Sequence, residues 1–591
     1  MSAQATAPET VAPDTQGQNF YQQDRSLADL LRLYLEPALY DHLQPHLRHM
    51  GWLAANEMDE WGRLADRHPP VLHPRDRFGR DVQRIEYHPA YRELEAMAFG
   101  LFGMHAMSHR GGVLGWPHPY PAVAKHAFTY LFNQAEFGLG CPINVTDSGI
   151  LLLRRYGDEA LQKRFLSRML SQEMARLWQG AQFMTEKEGG SDVGRATTRA
   201  EPDGEGNWRI TGEKWFCSNA DAPVAQLLAR PVEAGPGTRG LGLFVMPRWL
   251  ADGSPNRYRI VRLKDKLGSR SMASGEIVME GALAYAVGRL DRGFVQMADM
   301  VNWSRLSNGV KSTAIMRRAA HDALTVARSR IAFGHRLIDL PLARRQLLKI
   351  LLPTEAALSV CMLTADALDK AEDSSADRSG GSQAAAALLR VLTPVLKYRA
   401  TRDARKVAGD AMEMRGGTGY VEEFVTPRLL RDAHLGSIWE GAGNVVALDA
   451  IARAVGRHHG HEILRETILK KLEEAEGAPP ALVARMRDLA ERAVDFAVSV
   501  ATHGEREADA RRATSALYNV TAAASMVWEG ARLAELTGDA RRLLWARLLV
   551  DHRLTSRDPL AAQDTAWEDR AATLLLADAP APMEAVAPLL G

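Results

Sequence analysis

The sequence predicts an α+β chain that is mainly helical, and two observations on its apolar pattern carry this prediction. Apolar residues recur at the spacing of helices before residue 180 and again after residue 294. Between these stretches, short apolar runs alternate with Gly, Pro and Asp, as in a small antiparallel β-domain. A further helical stretch begins at residue 456, so helices account for most of the chain.

Length and composition narrow the class of protein. A chain of 591 residues is too long for a single core, so three or four domains are expected. A net charge of +1 gives no overall attraction to nucleic acid or to anionic membranes. The three cysteines, Cys141, Cys217 and Cys361, lack the spacing of a metal site, which favours a reducing compartment without disulfides.

The sequence shows neither a membrane-spanning nor a targeting signal. No uninterrupted apolar run reaches the ~18–20 residues that a membrane span needs. The N-terminus has neither an Arg-rich amphipathic pattern nor a hydrophobic signal core. We therefore expect a cytoplasmic protein with no membrane partner.

The first helical region, 19–182, follows a polar N-terminus. Residues 1–18 are mostly Ala, Thr, Pro, Gln and Gly, a composition that predicts disorder. The helical pattern then begins with Leu27, Leu30, Leu31 and Leu35. His105 and His109 lie four residues apart, but Ala106 stands where a zinc protease helix carries its glutamate. We therefore expect no metal site.

The region 183–290 is predicted to form the β-domain, and it contains a loop suited to a ligand. Strand-like runs such as 225–229 and 241–245 are separated by turns. In the loop, two adjacent glycines precede Ser191 and Asp192, which exposes backbone N–H groups and lets a ligand approach closely. Taken alone, such a loop is more often an ordinary turn than a ligand site.

Helices return over 291–455 and continue through a further helical domain over 456–591. A polar stretch at 372–382 separates two of the helices. The last domain holds 17 Lys and Arg against 21 Asp and Glu, a net charge of −4. We interpret the histidines that open this domain as a solvated helix start rather than a ligand set: His458, His459 and His461.

Two motifs in the β-region carry a resemblance to a known family. The first runs Phe183-Met184-Thr185-Glu186-Lys187-Glu188-Gly189-Gly190-Ser191-Asp192, and the second Gly212-Glu213-Lys214-Trp215-Phe216-Cys217-Ser218-Asn219. Together they resemble the flavin-binding β-domain of the acyl-CoA dehydrogenase family, and most closely its AidB branch, named for the adaptive response to DNA alkylation. The resemblance implies an N-terminal α domain (19–182), a middle antiparallel β domain (183–290) and a C-terminal α bundle (291–455), with an additional helical domain (456–591).

The same resemblance implies FAD as the cofactor. Phe216 is expected to stack on the flavin, Ser218 to hydrogen-bond the ring near N5, and Arg330 to pair with the pyrophosphate. The residues expected to contact FAD are Phe183, Met184, Thr185, Gly190, Ser191, Phe216, Cys217, Ser218, Arg330, Phe333, Glu413, Gly417, Ile438, Trp439 and Asn444. Glu413 stands where many relatives have Gln. In this family the glycine-rich loop after Glu413 usually comes from a neighbouring subunit, which implies a homo-oligomer, with a tetramer expected.

A third motif, Ser437-Ile438-Trp439-Glu440-Gly441, matches the place where this family carries its catalytic base. Oxidising a thioester at Cα–Cβ requires a base for the α-proton while a hydride leaves Cβ for flavin N5, and a desolvated carboxylate suits the first task. The resemblance therefore assigns the base to Glu440; the alternative is a glutamate that only caps or pairs locally. Some relatives place the base just before an arginine that matches Arg305, but here that residue is Ser304. Arg305 is expected at the substrate.

Three functions remain open at this point. The first is FAD-dependent dehydrogenation of an acyl-CoA thioester through Glu440. The second is an AidB-like flavoprotein of the alkylation response whose partner is double-stranded DNA, with little turnover. The charge of the last domain weakens that reading, although Arg511-Arg512 and similar pairs are able to form a basic stripe. The third is acyl-CoA oxidase chemistry, in which oxygen reaches the reduced flavin.

Overall fold

The structure is a computed structural model that describes residues 11–372, 381–558, 560 and 566–590. It divides into two compact units. We call Glu57–Lys311 together with Ile438–Ala442 the sheet unit. We call the remainder, Met1–Asn56, Ser312–Ser437 and Gly443–Gly591, the bundle unit.

A seven-stranded sheet forms the centre of the sheet unit. The strands pair in the order Gly180–Phe183, Val224–Pro231, Arg199–Pro202, Trp208–Ser218, Ser274–Ala286 and Gly242–Pro247, with Tyr258–Leu263 added against Ser274–Ala286. Gly242–Pro247 also pairs with Val224–Pro231, so the strand order closes on itself. Most pairings are antiparallel, as predicted, but Gly180–Phe183 and Arg199–Pro202 each run parallel to Val224–Pro231.

Helices precede and follow this sheet within the same unit. Their bounds are Glu57–Arg67, Pro89–Glu95, Ala122–Ala135, Gly140–Tyr156, Glu159–Met169 and the first part of the long helix Gly293–Ser329. Gly140–Tyr156 is buried along most of its length, because its apolar residues pack against strand residues such as Val224 and Val245. The core therefore lies between this helix and the sheet, where Ile150 and Leu152 are fully buried.

A two-stranded hairpin interrupts the helices where the apolar pattern predicts only helix. Val71–Arg75 pairs antiparallel with Asp81–Glu86. The Asp76 carboxylate accepts hydrogen bonds from the backbone N–H groups of Phe78 and Arg80 at 2.8 and 3.0 Å, which closes the turn. Turn chemistry rather than side-chain periodicity therefore decides this segment.

In the described part of the bundle unit, the regular structure is helical apart from the short paired strands Ile331–Ala332 and His335–Arg336. Its longest helices confirm the predicted ones, since Pro341–Glu372 and Gly381–Arg415 bracket the predicted polar stretch, most of which lies outside the described residues. The other helices are Phe20–Gln23, Arg25–Tyr34, Pro37–Ala55, the second part of Gly293–Ser329, Val425–Gly436, Gly443–Leu448, Gly460–Glu473, Pro480–Thr502, Ala510–Thr537, Arg541–Leu549, Ala566–Leu575 and Met583–Val586.

A buried ionic network ties the last helices into the bundle unit. Arg542 lies within 2.9 Å of Glu355 and 2.6 Å of Glu529, and Arg317 lies within 2.6 Å of Glu355 and 3.1 Å of Asp24. All five side chains are buried. Because removing one member leaves its partners as uncompensated buried charges, the network specifies how the C-terminal helices pack.

Residues 11–18 form no helix or strand, yet hydrogen bonds fix them. Arg415 donates to the carbonyl oxygens of Ala12 and Pro13 at 3.2 and 2.9 Å while it pairs with Asp322 at 2.6 Å. Thr15 is fully buried. The N-terminal composition predicts disorder here, but it gives no sign of an arginine more than four hundred residues away.

One helix among the described residues, Pro341–Glu372, is long and apolar enough to cross a membrane. The sequence predicts no membrane span, because no uninterrupted apolar run reaches the ~18–20 residues that a span needs. In the structure 94% of its most apolar window is buried inside the protein, so this helix forms part of the core of the bundle unit.

Candidate functional site

The segment 438–442 belongs to the sheet unit and has an unusual backbone. Glu440 has φ 56°, a left-handed conformation that a non-glycine residue rarely adopts, and Gly441 follows with φ 102°. The Arg305 guanidinium donates through Nε to the carbonyl oxygen of Glu440 at 3.1 Å. Oε2 of Glu440 is shielded from solvent. The predicted base and the predicted substrate residue therefore lie together.

Trp439 forms an aromatic wall beside Glu440. Its ring stacks on Phe137 with centroids 5.4 Å apart and an interplanar angle of 26°. Nζ of Lys311 lies 4.6 Å from the Trp439 ring centroid. The indole Nε1–H is buried and has no hydrogen-bond partner among the described residues. Such a donor suits an acceptor on a bound ligand.

Cys141 connects this wall to the end of strand Trp208–Ser218. Burial raises the pKa of the Cys141 thiol, whereas the charge of Lys311 and a hydrogen bond with Ser218 act in the opposite direction. The Glu440 carboxylate also acts on this thiol and raises its pKa. Ser218, predicted to contact the flavin near N5, therefore lies in the same neighbourhood as the predicted base.

The glycine-rich loop is held at its base by a buried ion pair. Glu186 lies 2.7 Å from Nζ of Lys214, and both side chains are almost fully buried. The Glu186 carboxylate also accepts the backbone N–H of Thr197 at 2.6 Å. Burial alone would raise the pKa of Glu186, but Lys214 and the hydrogen bonds hold it below its usual value. The loop that follows Glu186 is therefore anchored at both ends.

The predicted flavin-contacting residues of the sheet unit differ in how much they expose. Gly190 and Ser191 are exposed, and a Cβ at Gly190 would have only Thr185 Cγ2 near it, at 3.9 Å. Phe216 is 56% exposed and Ile438 is 63% exposed, whereas Met184 and Thr185 are partly buried. Two further predicted residues are fully buried, so that only their backbones can meet a ligand: Phe183 and Cys217.

The other predicted cofactor residues belong to the bundle unit. Arg330 donates to the carbonyl oxygen of Arg415 at 3.4 Å, and a Cβ at Gly416 would lie 3.0 Å from Nη1 of Arg330. Arg330 therefore adjoins the glycine-rich turn Gly416–Tyr420. Phe333 is 93% exposed on the turn between two short strands and has φ 54°. No contact among the described residues joins Phe333 to the glycine-rich turn Gly416–Tyr420. Three other predicted residues are exposed: Glu413, Gly417 and Asn444.

Histidine pairs are used for hydrogen bonding rather than for a shared ligand. His109 Nε2 contacts Asp147 Oδ1 at 2.8 Å, and His105 Nε2 contacts the carbonyl oxygen of Ser171 at 3.1 Å. Sequence reasoning anticipated no metal ligands. Within the described ranges, one group has ligand atoms within 4.8 Å of one another, and it falls on the histidines interpreted as a solvated helix start: His459, His461 and Glu462.

Sequence reasoning also missed the buried polar centre at Asp147. Lys125 and His109 both contact its carboxylate, and Trp303 donates Nε1–H to it at 2.6 Å. Burial would raise the pKa of Asp147, but the Lys125 ammonium and His109 hold it well below its usual range. Lys311 was missed as well. The residues on either side of it are mostly small or polar, so the sequence gives no sign of its burial.

Comparison with known proteins now assigns the family. Three family profiles match: the adaptive response protein AidB N-terminal domain over residues 11–174, and the acyl-CoA dehydrogenase middle and C-terminal domains over 181–282 and 291–456. The AidB protein of Escherichia coli (strain K12) is 34% identical over 431 residues, which cover 71% of this chain and 75% of AidB. The chain belongs to the acyl-CoA dehydrogenase family. Within that family it belongs to the AidB-like branch, as its motifs predict.

Similarity to acyl-CoA dehydrogenases extends beyond the residues that the family profiles match. Acyl-CoA dehydrogenase family member 11 of Caenorhabditis elegans is 29% identical over 578 residues, 95% of this chain and 90% of the relative. The solved structure of Caenorhabditis elegans ACDH-11 in complex with C11-CoA matches with a TM-score of 0.81 and 26% identity, over 97% of this chain and 98% of that one. The predicted acyl-CoA dehydrogenase fold with an added helical segment is confirmed.

The sheet unit fits a flat cofactor of the kind that this family binds. Phe216 presents an open aromatic ring at a strand, and the backbone at Gly190 leaves room for close approach. The buried Nε1–H of Trp439 supplies a donor with no partner among the described residues. In the bundle unit, taken by itself, Arg330 offers a guanidinium of the type that binds diphosphates.

Proposed function

We propose that the chain is an FAD-dependent enzyme that introduces an α,β double bond into an acyl-CoA thioester, with Glu440 as the base. One observation carries this proposal. Glu440 is held in a strained backbone conformation by Arg305, and its Oε2 is shielded from solvent beside an aromatic wall. A fixed, desolvated carboxylate suits the removal of a weakly acidic proton.

The substrate class follows from the family and from one relative. ACDH-11 was solved in complex with C11-CoA, and this chain matches it over nearly the whole length. That similarity supports an acyl-CoA thioester as the substrate. The side chains around Glu440 determine which length and branching of the acyl chain the enzyme accepts.

FAD is the cofactor of this proposed reaction, and when bound it supplies the acceptor for the hydride that leaves Cβ. On the protein side, the exposed ring of Phe216 is placed to stack, and Ser218 and the Trp439 Nε1–H are placed to hydrogen-bond. In the bundle unit, Arg330 is the residue for the pyrophosphate.

Side chains of the protein carry out proton removal, fix the base and exclude water. Glu440 takes the α-proton on its carboxylate, and Arg305 fixes the backbone from which that carboxylate extends. Trp439 and Phe137, stacked 5.4 Å apart, exclude water from one side of Glu440. Excluding water strengthens each electrostatic interaction that forms during proton removal.

Anaerobic titration tests the proposal. The purified protein, checked for bound FAD, is mixed with acyl-CoAs of increasing length, and the visible flavin band is followed. We expect bleaching by at least one thioester. In Glu440→Gln, which keeps the shape but loses the base, we expect thioester binding without bleaching. Full bleaching by Glu440→Gln would show that another group removes the proton.

We also propose a homo-oligomer, with a tetramer as the expected form. The bundle unit leaves large apolar side chains uncovered: Ile331 is 70% exposed, Leu342 82%, Phe333 93% and Tyr420 83%. Exposed groups of this size on neighbouring segments typically mark an interface. Phe333 and the turn that ends at Tyr420 are also predicted cofactor-contacting elements, which supports a partner chain at this surface.

A second candidate function, association with DNA, is favoured by one depression in the bundle unit. It has a volume of about 570 Å³, and six of its lining residues are arginines: Arg399, Arg402, Arg492, Arg511, Arg512 and Arg553. Arg402 and Arg511 contact Tyr398 and form no ion pair with a described residue. Burial and neighbouring guanidinium groups lower the pKa of Arg402. This concentration of cations suits phosphates despite the net charge of the last domain.

Salt dependence tests the second candidate. Affinity for a DNA duplex is measured from low to moderate salt for the wild type and for Arg402→Ser with Arg511→Ser. We expect weaker binding and a slope of log affinity against log salt that is shallower by about 1–2. Arg289→Ser, an exposed arginine of the sheet unit that pairs with Asp291, is the control. Equal slopes for all three proteins would exclude this depression as the phosphate site.

A further inference from the structure

Lys311 is a buried cation without a hydrogen-bond partner. Its side chain is fully buried, and Nζ donates no hydrogen bond to a described residue. It forms no ion pair with a described residue. Its contacts are with aromatic faces: Nζ lies 4.6 Å from the ring centroid of Trp439 and 5.9 Å from that of Phe137. Two aromatic faces do not replace the acceptors that three ammonium N–H groups need.

The polar neighbours of Lys311 do not pair with it. His126 is buried, and neither ring nitrogen has a hydrogen-bond partner among the described residues. Burial, together with Lys125 and Lys311, lowers the pKa of His126 to about 3, so its ring is neutral. Burial raises the pKa of the Cys141 thiol, so this group is also neutral. Asp147, the buried acid nearby, is already paired with Lys125.

Close packing fixes Lys311 in this place. A Cβ at Gly140 would lie 3.0 Å from Cδ of Lys311 and would collide with Oδ1 of Asn133, an oxygen that has no hydrogen-bond partner among the described residues. The stem of the lysine therefore passes over Gly140, where only a glycine leaves room.

Lys311 also lies near the proposed reaction centre. Trp439, whose ring it contacts, is the residue before Glu440, and Lys311 and Glu440 both act on the Cys141 thiol. On the same helix face, seven residues earlier, Ser304 accepts a hydrogen bond from Asn144 at 2.7 Å. Polar groups and a cation therefore lie in the same neighbourhood as the proposed base.

We propose that Lys311 binds a carboxylate carried on the acyl chain of the substrate, so that the enzyme takes CoA monothioesters of dicarboxylic acids. This inference rests on the proposed dehydrogenase function. A buried ammonium group is costly unless an anion pairs with it, and no described carboxylate forms an ion pair with Lys311. A plain alkyl chain would leave the charge uncompensated and remove any water around it. A terminal carboxylate would supply the missing acceptors and the missing charge.

Paired thioesters test the proposal on the FAD-bound enzyme. The probes are hexanoyl-CoA and the CoA monothioester of hexanedioic acid, with five- and eight-carbon pairs alongside. Affinity is read from the perturbation of the flavin spectrum in a Glu440→Gln background, where binding is separated from turnover. We expect the dicarboxylic thioester of at least one length to bind about tenfold or more tightly than its plain counterpart.

Variants of Lys311 show whether the lysine causes this preference. Lys311→Met keeps the length and apolar stem but removes the charge, and we expect it to reverse the preference. Lys311→Arg keeps the charge, and we expect it to retain part of the preference. Lys163→Met, at an exposed lysine of the same unit, is the matched control and should behave like the wild type. Circular dichroism and FAD content confirm that each variant is folded.

The outcomes separate this inference from the dehydrogenase proposal. If plain acyl-CoAs bind better at every length and also bleach the wild-type flavin, the inference is wrong and the dehydrogenase proposal stands. If dicarboxylic thioesters bind preferentially but no thioester bleaches the flavin, the inference stands and the proposed reaction is wrong. If no thioester binds to the FAD-loaded wild type, both are overturned. The wild-type comparison decides these cases even if a Lys311 variant fails to fold.

Discussion

Arg305 and Glu440 are joined through the main chain, because Nε of the arginine donates to the carbonyl oxygen of the glutamate at 3.1 Å. Arg305 extends from the long helix Gly293–Ser329, which is a rigid element. Glu440 has φ 56°, a conformation that persists only when its surroundings impose it. The arginine is therefore a positioning residue for the proposed base.

Replacing Arg305 should lower the rate more than the affinity. In Arg305→Met we expect kcat to fall by about 10²-fold with a smaller change in KM, because the backbone that carries the Glu440 carboxylate is no longer held in place. Arg305→Lys should restore part of kcat, since it returns a donor without the guanidinium geometry. Steady-state kinetics with the best thioester and the FAD content of each variant give the answer. A variant with unchanged kcat would show that Glu440 needs no such support.

The buried pair Lys214–Glu186 should contribute strongly to stability. We expect Lys214→Met to lose about 3–5 kcal/mol in the free energy of unfolding, because Glu186 then remains as a buried charge without its partner. Urea denaturation followed by circular dichroism measures this loss. The exposed pair Lys187–Glu213 has the same 2.7 Å separation and provides the control. Lys187→Met should unfold like the wild type, and equal losses in both variants would contradict the role assigned to burial.

Glu355 should make stability depend on acid pH. Burial opposes its ionisation, but Arg317 and Arg542 lower its pKa from 4.5 to about 2. Because the folded pKa is depressed, the stabilisation is complete above the unfolded pKa and disappears as the pH falls towards 2. The total amounts to about 3 kcal/mol, and most of the loss occurs between about pH 5 and pH 2.

A variant separates this effect from the titration of other carboxylates. Glu355→Gln should be much less stable than the wild type at pH 7, and the difference should shrink by pH 3, where the wild-type glutamate is losing its advantage. Unfolding midpoints at pH 7, 5 and 3 provide the comparison. Glu422→Gln, at an exposed glutamate that pairs with Arg431, should show a small difference that does not vary with pH. A constant difference for Glu355→Gln would contradict the linkage.

The exposed aromatic groups of the bundle unit should control assembly. We expect Phe333→Ser combined with Tyr420→Ser to reduce the mass measured by light scattering and to weaken FAD retention, since both side chains are more than 80% exposed in the single chain. Leu536→Ser, at another exposed apolar residue of the bundle unit, should leave the mass unchanged. A double variant that keeps the wild-type mass would place the interface elsewhere.

Structural features that depend on neighbouring residues of the chain could be predicted from the sequence. The pattern predicted helices over about 350–370 and 384–414, which lie within Pro341–Glu372 and Gly381–Arg415, and the short apolar runs predicted the sheet. The hairpin Val71–Arg75 with Asp81–Glu86 was missed because its turn depends on one aspartate, Asp76, rather than on periodicity. The parallel pairings of Val224–Pro231 were missed because strand direction depends on connections through the whole sheet.

The candidate site was predicted in part for the same reason. Glu440 and the glycine-rich loop lie in contiguous motifs, so sequence alone identifies them. Lys311 is 129 residues away from Glu440, and a lysine on a helix is usually solvated, so only the packing of Gly140 and Trp439 reveals it. The burial of Phe183 and Cys217 likewise depends on which face of each strand turns inward, which the motif does not state.

The carboxylate of Glu186 has a practical consequence for protein engineering. It accepts the backbone N–H groups of Thr197 and Thr198 while it pairs with Lys214, so the chain leaves and re-enters the sheet at one anchored point. Residues 187–192 therefore constitute a cassette, whereas Val193 and Ala196, which follow it, are buried in the core of the sheet unit. Libraries that vary the length and sequence of this cassette, with Glu186 and Lys214 retained, offer a direct route to variants with altered cofactor selectivity on an unchanged scaffold.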